Sequence, residues 1–155
     1  MREETCRAPR PAPNFALPPH EDDVVKFMLL VYTDPSIMGA VPAAQFDTMM
    51  KGCIEKADGM RREGSLLDAQ QLEDPSTART IRVRNGKTTA MDGPFAEAKE
   101  VLGGFNLIEA ESMEEAMRIA SEFPWVQTGA IEVRPVRDIG AVAERLGTSW
   151  NAATA

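Results

Sequence analysis

The run Val25 to Thr33, VKFMLLVYT, is apolar almost throughout and nine residues long. That length suits a strand rather than a helix, and the lack of alternation predicts a central strand buried on both faces. A sheet built around it needs a covering layer on each side. Asp34-Pro35 ends the run. Tyr32 and Asp34 then stand at its C-terminal end, where a polar tip can look into a cleft. A core-edge tyrosine and a turn aspartate are the plainer reading of the same two residues.

One covering layer is written into the next stretch. Pro42 suits a first helical turn, and Phe46, Met49, Met50, Cys53, Ile54, Ala57 and Met60 follow at three- and four-residue steps. This is one apolar stripe of a helix that stops at Gly64, behind Arg61 and Arg62. A methionine-rich stripe suits either an adaptable binding face or plain core, and core is the commoner use. A second helical stripe, Met113, Ala116, Met117, Ala120 and Phe123, follows the capping-box match Ser112-x-x-Glu115 and ends at Pro124.

The strands are signalled less evenly. Ser65 to Leu72 is a second strand, and Asp74-Pro75-Ser76 a turn. Thr80 to Arg84 and Lys87 to Met91 flank Asn85-Gly86, a strong two-residue hairpin signal. That turn sets Val83 opposite Thr88 and Ile81 opposite Ala90, with Arg82 and Arg84 on the other face. Gly129 to Val136 is a last strand, and Pro135 places it at an edge or at its own end. Asp138 to Leu146 makes a short helix before the tail GTSWNAATA.

Between the hairpin and the second helical stripe lies Thr88 to Ala110, TTAMDGPFAEAKEVLGGFNLIEA. It begins as a strand, breaks at Asp92-Gly93-Pro94-Phe95, pivots on Gly103-Gly104 and leaves as a strand. The proline pushes Gly93 towards an extended conformation. Asp92 is placed to accept the amides of Phe95 and Ala96 as a cap.

Strand, helix, strand, hairpin, strand, helix, strand is an α+β order. It matches the ferredoxin-like β-α-β-β-α-β plan with an inserted β-hairpin, an antiparallel sheet with helices on one face. The remaining face then calls for a second subunit, so a homodimer is expected. The folded domain is expected over 23–138, with a Pro-rich flexible arm at 1–22 and a short helix and tail at 139–155.

A formal net charge of -7 argues against direct nucleic-acid binding. No apolar run reaches the roughly 18 residues of a membrane span, and residues 1–22 lack the apolar core of a secretory signal. Cys6 and Cys53 make neither a disulfide framework nor a metal-ligand cluster, so the cytoplasm is the expected compartment and no cofactor is expected. The sole histidine, His20, lies in the arm.

The segments KFMLLVY, AMDGPFAEAKEVLGGFNLIEA and the closing EVRPV resemble the YCII-related family, in its branch carrying the DGPF signature. The resemblance covers roughly residues 26 to 137. It implies a ferredoxin-like fold of the dimeric α/β-barrel type, two sheets packed face to face with a cleft in each subunit. Members of the wider fold group include lyases, isomerases and monooxygenases, and some DGPF members are encoded beside or fused to sigma factors. Relatives proposed to be enzymes place a His near the position of Cys53, to work with an Asp. This domain has no His there, so that chemistry does not carry over.

Two functions follow. One is a small-molecule-binding or interaction module, with a sigma factor as the partner that the resemblance suggests. The other is a cofactor-free lyase or isomerase with Asp92 as acid/base, Tyr32 as hydrogen-bond donor and Lys99 as electrostatic stabiliser. The ligand cleft expected for either holds Tyr32, Asp34, Asp92, Gly93, Pro94, Phe95, Glu97, Lys99, Gly103 and Gly104. A rigid turn with surface charges is the plain alternative for Asp92, Glu97 and Lys99.

Overall fold

The structure, a computed structural model, describes residues 25–94 and 98–150. The arm at 1–22, Phe95, Glu97 and the proposed cap on the Phe95 and Ala96 amides lie outside the described residues. Strand β1 (Val25–Thr33) pairs antiparallel with β5 (Val101–Ala110) on one side and β6 (Gly129–Pro135) on the other. Strand β2 (Leu66–Gln71) pairs antiparallel with β5, giving the order β2-β5-β1-β6. Helices α1 (Pro35–Met38) and α2 (Ala43–Glu63) join β1 to β2, and α3 (Met113–Ser121) joins β5 to β6. A separate hairpin, β3 (Arg79–Arg84) and β4 (Lys87–Asp92), stands between β2 and β5. This is the ferredoxin-like α+β plan with an inserted hairpin. A last helix, α4 (Ile139–Arg145), is capped by the Asp138 side chain on the Ala141 amide.

The core explains the layering. Phe27, Leu29 and Ile108 from the sheet meet Cys53 and Met60 of α2 and Ala116, Ile119 and Ala120 of α3 in one buried cluster. Both helices therefore cover the same face. Leu29 and Ile108 are fully buried, each removing apolar surface worth about 1.5–3 kcal/mol. Lys56 of α2 pairs with Glu122, and Arg118 links Glu122 to Glu115, so a chain of charges ties the two helices along their outer edge.

The opposite face of the sheet differs from the expectation of a strand buried on both sides. Met28, Leu30 and Tyr32 are only half-buried, and the register sets them against Leu107, Phe105 and Leu102 of β5. Phe27, Leu29 and Val31, on the side that meets α2 and α3, are buried, so among the described residues β1 is fully buried on that side alone.

Several local expectations hold. Gly64 closes α2 in the left-handed conformation, and Ser112 caps α3 by accepting from the Glu115 amide. The hairpin register sets Val83 opposite Thr88 and Ile81 opposite Ala90. Pro135 is the last residue of an edge strand.

Others are corrected. Ile54 and Met117 fit the apolar stripes but are 61% and 57% exposed, while Ile119 takes the buried place on α3. A stripe at three- and four-residue steps is wider than the line of contact with a sheet, so its flanks stay open. Gly93 sits at φ 94° rather than at the negative φ of ordinary extended backbone. Lacking Cβ, it turns this way without steric cost. Gly103 and Gly104 lie inside β5, where the pairing with β1 shifts register between Val31 and Tyr32. The pivot is thus a bulge within the strand rather than a break before it.

Candidate functional site

At the end of β1 the sheet and α2 do not close on one another. A cleft of about 460 Å³ opens there, between α2, the end of β2 and the start of β5. Phe46, Met50, Cys53 and Ile54 of α2 form one wall, and Gly103, Gly104 and Asn106 of β5 lie on the sheet side. Trp125, in the 3-10 turn that follows α3, closes one end by meeting Phe46 with ring centroids 5.8 Å apart and planes tilted by 52°. Gln71, Glu73 and Asp74 rim the mouth. The volume falls in the usual range for small-molecule sites.

The sheet side stays smooth for a stated reason. A Cβ added to Gly104 would lie 2.6 Å from the Gln70 carbonyl oxygen, so β2 and β5 approach there as only glycine allows. Gly103 is less confined: its Cβ would meet the Thr33 side chain at 3.4 Å, an ordinary contact.

Cys53 looks onto the cleft yet is buried. Burial pushes its thiol above the usual range, and hydrogen bonding with Trp125 only partly opposes this. The thiol stays protonated near neutral pH and serves as a small apolar surface.

Asp34 directly follows the cleft residue Thr33 and is 2% exposed. Its carboxylate accepts from the Ser36 hydroxyl and, at 2.9 Å, from the Ser36 amide, which caps α1. Its own amide donates to the Thr128 carbonyl at 3.2 Å. Lys99 Nζ lies 3.5 Å from its second oxygen. The Ser36 hydroxyl bond is the main cause that holds the Asp34 carboxyl below the usual range, with burial opposing it and the Ser36 and Ile37 amides and the Lys99 charge assisting.

Among the candidate residues named from the sequence, the structure thus joins Asp34 to Lys99 and sets Gly103 and Gly104 in the cleft. Tyr32 alternates onto the other sheet face, opposite Leu102 and Ala130. Asp92, at the end of β4, is exposed and pairs with Arg79 at 2.9 Å across the hairpin. Asp92, Gly93 and Pro94 are not among the described lining residues. Of the cleft's aromatic and polar lining, Trp125, Gln71 and Asn106 went unassigned from the sequence, and Phe46 was named only as part of the methionine-rich stripe. The methionine-rich stripe was its one available signal. Among the described residues no three His, Cys, Asp or Glu side chains gather to hold a metal ion, and no helix is long and apolar enough to cross a membrane.

The profile of the YCII-related domain matches residues 25–140. The chain belongs to the YCII-related family. The match takes in the six described strands and the three described helices between them, and so every described lining residue of the cleft. The chain is also 34% identical over 112 residues to an uncharacterized protein of Rhizobium meliloti (strain 1021), an overlap of 71% of this chain and 90% of the relative.

Proposed function

We propose that this YCII-related protein, of the DGPF-signature branch, is a homodimeric binding module that takes a small molecule in the cleft between α2 and the sheet. The cleft itself is the observation that carries the reading. It has apolar and aromatic walls, a few convergent amides at Gln71 and Asn106, and a sheet side kept free of side chains at Gly104. Binding is favoured over proton transfer because Cys53 on the cleft wall and Asp34, next to the lining residue Thr33, are both held off neutral poise. Cys53 is kept protonated, and Asp34 is kept ionised and engaged with Ser36.

The dimer covers the half-buried face of Met28, Leu30, Tyr32, Phe105 and Leu107. Its removal from water contributes roughly 25 cal/mol per Å² of apolar area before the cost of association. The exposed hairpin face with Ile81 and Val83 is the surface left to a protein partner such as a sigma factor.

Titration with Nile red tests the cleft. Saturable binding at one site per chain is expected, and Ile54→Trp, at an exposed position on the cleft wall, should weaken it at least about tenfold while the protein stays folded. Binding that never saturates, or that ignores Ile54→Trp, refutes the cleft. Light scattering tests the dimer: a species at only the 16.9 kDa of one chain at micromolar concentration excludes it.

A further inference from the structure

The cleft's lining has a sign. Among its described residues the side chains that carry charge are Glu73 and Asp74, both at the mouth, and neither lysine nor arginine faces it. Lys99, beside the β1 end, is turned to the Asp34 carboxylate, and Lys56 is paired with Glu122. Asp74 is itself held ionised: hydrogen bonds from the Ser76 hydroxyl and amide depress its carboxyl. Glu73 is exposed, with its carboxylate free to meet solvent or a ligand. A molecule with an anionic group would enter past these two carboxylates and meet no lysine or arginine among the described lining residues.

The inner surface points the same way. Phe46, Phe123 and Trp125 are among the lining residues, and an aromatic ring carries the negative end of a quadrupole on its face, which attracts cations. Phe123 already takes one such cation from its other neighbour, with Lys56 Nζ 5.3 Å from the ring centroid. Carboxylates at the mouth and an apolar, aromatic lining within suit a positive head and an apolar body.

Resting on the reading of this cleft as a ligand site, we infer that its ligand is an amine: a molecule with an apolar, ring-sized body and a protonated nitrogen. The body sits among Met50, Ile54 and the Phe46–Trp125 pair, and the ammonium faces Glu73 and Asp74.

Three probes of one skeleton test this: 1-naphthylmethylamine, 1-naphthalenemethanol and 1-naphthoate, titrated by calorimetry into the full chain. The amine should bind about two- to fivefold more tightly than the alcohol, as one solvent-exposed charge pair allows, and the carboxylate more weakly than either. Glu73→Gln, at an exposed rim position, should remove most of the amine's advantage and leave the alcohol unchanged. A carboxylate binding as well as the alcohol, or an amine advantage indifferent to Glu73→Gln, overturns the inference and leaves the cleft standing. If all three fail to bind, the cleft reading falls and the inference with it. Raising the salt concentration should narrow the gap between amine and alcohol, because exposed charges are screened.

Discussion

Gly103 and Gly104 are neighbours in one strand, yet alanine should be tolerated at one and rejected at the other. At Gly104 the new Cβ would stand 2.6 Å from the Gln70 carbonyl oxygen and 3.3 Å from the Gln71 Cα, both backbone atoms of the paired strand β2. Neither can rotate away as a side chain would, so β2 and β5 must part by several tenths of an ångström along their shared edge. Forcing a methyl into such a close approach costs about 1–3 kcal/mol. In a domain of this size each kcal/mol moves the melting temperature by about 3–5 °C, so Gly104→Ala should melt about 3–15 °C lower. At Gly103 the Cβ would meet only the Thr33 side chain, at 3.4 and 3.5 Å, with backbone no nearer than 3.8 Å. Gly103→Ala also reduces the freedom of the unfolded chain, so its melt should fall no lower than wild type and rise by up to about 5 °C. Differential scanning fluorimetry on the wild type and both variants, checked by circular dichroism, decides the matter. Equal melting temperatures for the two variants, or the larger loss at Gly103, would refute the strand register and the close approach on which the smooth cleft depends.

Asp34→Asn should destabilise at neutral pH. Because the folded-state carboxyl is depressed below its ordinary 3.8, the wild type's advantage is present above that value and should shrink as pH falls through the folded-state value; a gap constant from pH 7 to pH 2 would refute the assignment. Asp92→Asn, which loses only an exposed pair with Arg79, should shift the melt by less than about 3 °C; a large rise or fall would make Asp92 more than a hairpin clasp. In a Cys6→Ser background, Cys53 should react with a disulfide reagent at least about tenfold more slowly in the folded protein than in denaturant; fast labelling would place the thiol in the open.

Local chemistry wrote the elements. The unbroken run at Val25–Thr33 required a central strand, Asn85-Gly86 fixed the hairpin register, and Gly64 and Ser112 marked helix ends through caps that act within a few residues. Their order then left little choice but a ferredoxin-like sheet. What the sequence could not state is which flank of each stripe stays open. Met50, Ile54 and Met60 share one periodicity, yet Met60 is core and Ile54 is cleft wall. That choice depends on where α2 crosses the twisted sheet. The same holds for the site. Asp92 and its Gly-Pro turn look chemical in one dimension, but the hairpin carries Asp92 out to Arg79, away from the described cleft lining. Asp34 and Lys99, 65 positions apart, meet because the antiparallel register sets Thr33 against Val101. Trp125 reaches Phe46 only because α3 and its 3-10 turn fold back over the same sheet face. Contacts between distant segments are set by register and crossing angle, which are properties of the assembled layers and of no single stretch of chain.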